Sequence, residues 1–289
     1  MKTKYLEMPL QSNGDVYHLN LHPDELADTV ILVGDPNRVP IVSAKFDLIE
    51  VKKQNREMVT HTGIYKNKRI SVLSTGMGTD NMDIVLNELD ALANIDLCKR
   101  IPKETHQSLN LVRLGTCGSL QPDIKLNTYI ASAYSLGMDG LLHYYQHDTL
   151  LKEEEITAEF VSKTNWKSPP LPEPYAVSAS ETLLKKIAFD MQKGITLTAS
   201  GFYAPQCRVL RLPLGMADFA EKLIHAKSKG LSFTNMEMES SALYALSKLL
   251  GHQALTICVV IANRPNKTFS EKYHEAIDTL INQVLDRLT

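Results

Sequence analysis

The sequence predicts an α/β fold built on a buried central sheet. Short apolar runs rich in Val, Ile and Leu end in small or polar residues, as Val30–Gly34 (VILVG) does. They lack the alternation of a half-exposed strand, so they fit strands covered on both faces. Between them lie stretches whose apolar residues recur at helical spacing. Strands alternating with helices along 289 residues, 44% of them hydrophobic, make one sheet with packed helices the expected architecture.

In chain order, strands are expected at Val30–Gly34, Ile70–Thr75, Leu111–Gly115 and Leu255–Ala262. Thr128–Ala133 and Thr196–Ala199 give weaker strand signals. Asp80–Leu97 reads as a helix: Val85, Leu89, Leu92 and Ala93 form one stripe, and Asp80 and Asp83 sit near the positive end of the helix dipole. Glu237–Leu250 repeats the pattern through Ala242, Ala245, Leu246, Leu249 and Leu250, and Gly251 suits its stop. Ser270–Leu288 is a third helix, with Ala276, Ile277, Leu280, Ile281, Val284 and Leu288 on one side. The Pro-rich stretch Lys163–Pro174 reads as a surface loop in preference to a domain linker, because strand and helix patterns resume after it. The charge run Lys152–Glu155 reads as a solvated helix face, and no internal repeat is evident.

Composition excludes several classes. The net charge is −2 with both signs mixed along the chain, so no basic stripe points to nucleic acid or a membrane surface. Met1–Asn13 lacks the apolar core of a secretory signal, and no apolar run approaches the roughly 18 residues of a membrane span. Cys98, Cys117, Cys207 and Cys258 are scattered without a CxxC pair, which fits free thiols in a reducing cytoplasm. The nine histidines give no HExxH and do not cluster with cysteines, so no metal set is expected.

Four segments place polar residues where an apolar strand ends, the usual ligand position of an α/β sheet. Gly34-Asp35-Pro36-Asn37-Arg38 combines close backbone approach with a guanidinium fork, although a turn carrying a surface Arg fits equally well. Thr75-Gly76-Met77-Gly78-Thr79 is not a dinucleotide fingerprint, because Asn81 stands where a third Gly would be. In Arg113-Leu114-Gly115-Thr116-Cys117-Gly118-Ser119, Arg113 lies inside an apolar strand and needs an anionic partner there. Cys117 lacks a nucleophile elbow and reads as a buried structural thiol. Asn235-Met236-Glu237-Met238-Glu239-Ser240-Ser241 puts two carboxylates at a strand-to-helix junction, where acids favoured by the helix dipole are also common. No Walker loop is present, so any bound phosphate would rest on arginines and backbone N–H groups.

Together these segments resemble the nucleoside phosphorylase superfamily and, within it, the uridine phosphorylases. The resemblance rests on GDPNRV (Gly34–Val39), NREMVTHTG (Asn55–Gly63), STGMG (Ser74–Gly78), RLGTCGSLQPDI (Arg113–Ile124), GFYAPQCR (Gly201–Arg208), NMEMES (Asn235–Ser240) and VVIANR (Val259–Arg264), in family order from about His18 to Arg264. It implies a three-layer α/β/α fold with a central mixed sheet, one domain over 1–289, and a homo-oligomer, dimer or hexamer, whose neighbours complete each other's sites. It further implies that Gly34, Arg38, Arg113 and Thr116 bind phosphate, with Arg56 lent by the neighbour. Glu237, Met238 and Glu239 would bind ribose, with the neighbour's His18 at the 5′-hydroxyl. Phe202, Gln206, Arg208, Gly118 and Ile261 would form the base pocket, and Arg208, Gln206 and Arg113 would carry the chemistry.

Phosphate is a co-substrate in this reading and no cofactor is implied, apart from a potassium ion that some relatives bind between subunits. Glu57 matches one ligand of that ion, but Asn81 replaces a Ser. Other departures are Cys117 and Ser119 in the GTTG-like stretch, Thr79 for a Gly, and an extra stretch near Lys99–Leu109. The rivals are a purine nucleoside phosphorylase, against which Asn263 stands in place of an Asp; a nucleosidase using water, which has no need of Arg38, Arg56 and Arg113; and a non-catalytic storage or ligand-binding member of the fold.

Overall fold

Every residue of the strand Thr29–Val33 (β1) is buried. Val30 and Leu32 join one apolar cluster, and Ile31 and Val33 join another. Alternate side chains of one strand thus feed two layers, as the pleat requires. This computed structural model describes residues 6–147, 153–168 and 170–289.

After β1 come α1 (Arg38–Ser43), β2 (Leu48–Asn55), β3 (Met58–Tyr65), β4 (Lys68–Ser74), α2 (Thr79–Asn94), the short strands β5 (Ile95–Asp96) and β6 (Ile101–Pro102), then β7 (Asn110–Ser119) and β8 (Tyr129–Gly137). The second half holds α3 (Glu154–Thr164), β9 (Tyr175–Ser178), α4 (Glu181–Ile187), β10 (Gln192–Thr198), β11 (Lys227–Ser228), β12 (Leu231–Glu237), α5 (Ser240–Leu249), β13 (Gln253–Asn263), β14 (Thr268–Phe269) and α6 (Tyr273–Leu288).

The main sheet runs β11-β12-β10-β8-β13-β7-β1-β4-β3-β2 and is mixed. β4, β1, β7 and β13 are mutually parallel, and β2, β3 and β4 form an antiparallel meander at one edge. The other end curls back: β12 pairs antiparallel with β7, Met236 opposite Gly118 and Asn235 opposite Ser119. The five strands β7, β13, β8, β10 and β12 therefore close into a small ring. Helices α2 and α5 cover one face through Val85, Leu89, Ala242 and Leu246. Helices α1, α4 and α6 cover the other through Val42, Leu183, Leu280 and Val284. This is the expected mixed sheet between helical layers.

The expected strands are all present, and the weak signals became β8 and β10. Two helix starts need correction. Glu237 completes β12, and α5 begins only at Ser240; α6 begins at Tyr273. Helix α2 stops at Asn94, where Lys103 Nζ donates to the Ala93 carbonyl at 2.8 Å from the extra stretch. Cations at such carbonyls satisfy a helix C-terminus. In the Pro-rich stretch, Lys163 and Thr164 finish α3, and Trp166 packs edge-on against Phe219 with ring centroids 5.6 Å apart. Pro169 and Lys152 lie outside the described residues, while Glu154 and Glu155 open α3 as an exposed face. All four cysteines are free thiols, and among the described residues no helix is long and apolar enough to cross a membrane.

Candidate active site

Because β1, β4, β7 and β13 run parallel, the segments after Val33, after Ser74, at Thr116–Gly118 and at Ile261–Arg264 emerge on one side of the sheet. A cavity of about 720 Å³ opens there. Its wall includes Gly34, Arg38, Arg113, Thr116, Gly118, Phe202, Gln206, Arg208, Glu237, Met238, Glu239 and Ile261. Of the residues the sequence nominated, only His18 and Arg56 are not on it. His18 Nδ1 meets Glu88 Oε1 at 2.6 Å, and the His18 and Leu19 amides donate to the same carboxylate. Arg56 is exposed in the turn between β2 and β3, at φ +52°.

Arg113 is buried and has found the anionic partners its position demands. Its Nη2 donates to Glu239 Oε2, and Nη1 lies 3.2 Å from Glu237 Oε2. Burial opposes the guanidinium charge, but the two carboxylates outweigh it and hold Arg113 more firmly protonated than a free arginine. Glu239 is pushed above the ordinary carboxylate range by its own burial, with Arg113 and the Gly78 amide pulling the other way. That amide donates to Glu239 Oε1 at 2.8 Å. Gly78 sits at φ +98°, and a Cβ there would lie 2.6 Å from Asp80 Oδ1, so the loop after β4 reaches Glu239 only as glycine.

Glu237 is held differently. Thr198 Oγ1 donates to its Oε1 at 2.7 Å, and the Glu239 and Ser240 amides donate to it at 3.1 Å. It therefore caps α5 as the dipole reading anticipated and also faces Arg113. Behind Thr198 runs a buried ladder: Ser135 Oγ meets Thr198 Oγ1 at 3.0 Å, Ser132 Oγ meets Thr196 Oγ1 at 2.6 Å, and Thr196 Oγ1 donates to Asn235 Oδ1 at 2.9 Å. Sequence reasoning missed this support, although the alternating Thr196 and Thr198 of a strand end carry its signal. Arg38 Nη1 donates to the Leu114 carbonyl at 3.1 Å; burial, then the Arg113 charge, lower its pKa. Arg113 is already balanced by two carboxylates, so Arg38, which makes no ion pair among the described residues, supplies the positive charge that an anion would meet beside the backbone amides of this wall.

The third group lies on one turn of 3₁₀ helix, Ala204–Gln206. Gln206 is buried, and its Oε1 accepts from Arg208 Nη1 at 2.5 Å and from Arg264 Nη1 at 3.5 Å. Arg264 Nη2 also donates to the Gln206 carbonyl. Gln206 Nε2 makes no hydrogen bond among the described residues, and it remains a donor for a ligand. The Arg208 guanidinium stacks over Phe202 with Cζ 3.9 Å from the ring centroid. The register of β13 slips between Val260 and Ala262, and Ile261 lines the cavity at that bulge. Arg264 was given no role from sequence. Its signal is a cation closing the longest apolar strand, and its side chain covers Gly118, where a Cβ would lie 3.3 Å from Arg264 Cδ.

Cys117 and Asn263 both have structural roles. Cys117 is buried against Ile124, Ile130, Cys258 and Val260, and burial beside Cys258 raises its thiol well above the ordinary range, leaving a poor nucleophile. Asn263 Nδ2 donates to the carbonyls of Gln121 (3.0 Å), Ile124 (2.8 Å) and Pro122 (3.3 Å). An Asp there would set a carboxylate against three carbonyl oxygens.

The phosphorylase superfamily model matches residues 28–288. A uridine phosphorylase from Thermococcus kodakarensis is 29% identical over 92% of this chain and 83% of its own length. A DeoD-type purine nucleoside phosphorylase from a Thermoanaerobacter species is 33% identical over 84% of this chain and 85% of its own. Among solved structures, a Trypanosoma brucei nucleoside phosphorylase described as showing uridine phosphorylase activity superposes with a TM-score of 0.88 at 30% identity, covering 98% of this chain and 99% of that one. With the family model matched over residues 28–288, the chain belongs to the phosphorylase superfamily.

Proposed function

We propose that the chain catalyses phosphorolysis of a pyrimidine nucleoside, uridine and phosphate giving uracil and ribose 1-phosphate. The observation that carries this reading is one cavity holding Arg38 and Arg113 together with Gln206 and Arg208, with Arg264 bracing Gln206 from behind the wall. A phosphate oxygen attacks C1′, the C1′–N1 bond breaks with its electron pair leaving on the base, and a proton from solvent neutralises the uracil anion. Arg38, Arg113, Thr116 and Gly34 would hold the phosphate. Arginine suits this task because it stays charged at any working pH and matches phosphate oxygens in pairs. Glu239 and Met238 would fix the ribose, with Glu237 holding Arg113 and α5 in place. Gln206 would read the uracil edge, and Arg208 would face the charge leaving on the base.

The purine alternative is disfavoured by Asn263, whose amide is committed to three backbone carbonyls and does not line the cavity. Uracil release from uridine should require phosphate. Equal release in phosphate-free buffer, measured by chromatography of the products, would identify a hydrolase instead; inosine and thymidine as parallel substrates fix the base range.

The active unit in this reading is a cytoplasmic homo-oligomer, at least a dimer. His18 and Arg56 lie off the chain's own cavity, as residues lent to a neighbour would. Mixing inactive Arg56→Ala chains with inactive Arg113→Ala chains should restore part of the activity through sites carrying neither lesion. A fully active monomer in sedimentation at assay concentration would overturn this. No resident cofactor is invoked. A potassium ion between subunits would meet Glu57 with its Oε1 already 3.4 Å from Asn81 Nδ2.

A further inference from the structure

The linear spacing of histidines and cysteines gave no metal set, but folding makes one. Asp90 in α2, His106 in the extra 99–109 stretch and His252 just after α5 bring one ligand atom each to within 4.8 Å of one another. Among the described residues no other group of His, Cys, Asp or Glu does so. The His252 side chain is 0% exposed, and its Nε2 has no hydrogen-bond partner although Asp90 Oδ1 lies 3.2 Å away. A buried ring nitrogen left in that state is expensive.

We propose that Asp90, His106 and His252 form a site for a borderline divalent cation of the zinc type. Two imidazoles and a carboxylate are a common zinc donor set, with water free to take the fourth place. The supporting contacts of such a site are already made. His106 Nε2 lies 2.8 Å from the Leu250 carbonyl, which fixes its proton there and leaves Nδ1 as the ligand atom. Asn94 Nδ2 donates to Asp90 Oδ1 at 2.7 Å and orients that carboxylate.

His252 needs one adjustment. The Leu109 amide donates to its Nδ1 at 3.2 Å, so the ring proton now sits on the unpartnered Nε2. Metal binding at Nε2 moves that proton to Nδ1 and opens the Leu109 contact. Two donors, Nδ1–H and the Leu109 amide, then lack an acceptor where one did before, and the metal bonds have to outweigh that difference. His106 is exposed, so its ring has room to close on the ion.

The ion would clamp the extra stretch to the ends of α2 and α5. This lies at the amino ends of β7 and β13, whereas the cavity lies at their carboxyl ends. Its effect is therefore on stability, with turnover little changed.

The test is cobalt titration of the full-length protein with free thiols capped. One Co²⁺ per chain with visible d–d absorption, displaced by Zn²⁺, is expected. Zinc at about 100 times its Kd should raise the melting temperature by roughly 5 °C. Both signals should vanish in His106→Ala and in Asp90→Asn, variants of residues that are not fully buried, while kcat stays at the parent value. No d–d band, or a band and melting shift that survive both substitutions, would overturn the proposal.

Discussion

Arg113→Ala is expected to cut phosphorolysis by about 10³-fold, the scale of losing a preorganised group that stabilises transition-state charge. It should also lower the melting temperature by roughly 10 °C, because breaking a buried ion pair costs about 3–5 kcal/mol when the partner charges stay behind. Both effects follow from one geometry: Glu237 and Glu239 are both buried and share this guanidinium. Arg113→Lys separates them. A lysine restores a positive charge between the carboxylates and most of the lost stability, but it has no planar fork, so most of the rate loss should remain. Differential scanning fluorimetry and steady-state kinetics at varied phosphate measure the two. Wild-type kcat/KM in Arg113→Lys would remove Arg113 from the phosphate site and leave it a purely structural cation.

The second large effect concerns the base. Gln206→Ala should lower uridine turnover by about 10²-fold or more, with the KM for phosphate unchanged. A pocket built to hydrogen-bond one edge discriminates strongly because the wrong base leaves buried polar groups unpaired. The structure adds a second cost. Gln206 Oε1 sits between Arg208 and Arg264, and without it the two guanidiniums lose the side-chain acceptor they share and keep only the backbone carbonyls of Phe202 and Gln206. Burial already lowers the pKa of Arg264, and Arg208 is the next contributor. If Gln206→Ala keeps most of its activity and its preference for uridine over inosine, Phe202 and Ile261 select by shape and the hydrogen-bonding role is withdrawn.

The legible part of the molecule was the part governed by local pattern. Val30–Gly34 and Leu255–Ala262 read as buried strands because continuous apolar runs are rare elsewhere, and the polar residues following them mark the cavity. What did not read was set by tertiary context. Strand β2 (LIEVKKQN) is a half-exposed edge whose alternation is blurred by lysines. The start of α5 was misplaced because Glu237 belongs to the strand and caps the helix from outside it. Arg264 escaped notice because its role depends on meeting Gln206, 58 residues away in sequence. The pairing of Thr198 with Glu237 depends likewise on strand neighbours that no local periodicity reveals.

The closure of β7 onto β12 bears on how the molecule comes to exist. The Ser119 hydroxyl and the Thr234 carbonyl that meet there are 115 residues apart in sequence. Contacts of such long range are made late, after the entropy of closing the intervening chain has been met. Gly118, Cys117 and Met236 line the cavity at this seam. The pocket thus depends on contacts between distant halves of the chain, and neither half alone can form it. No partly folded species with the β1–β4 half intact would carry a working site, and residual activity in denaturant would count only fully folded chains.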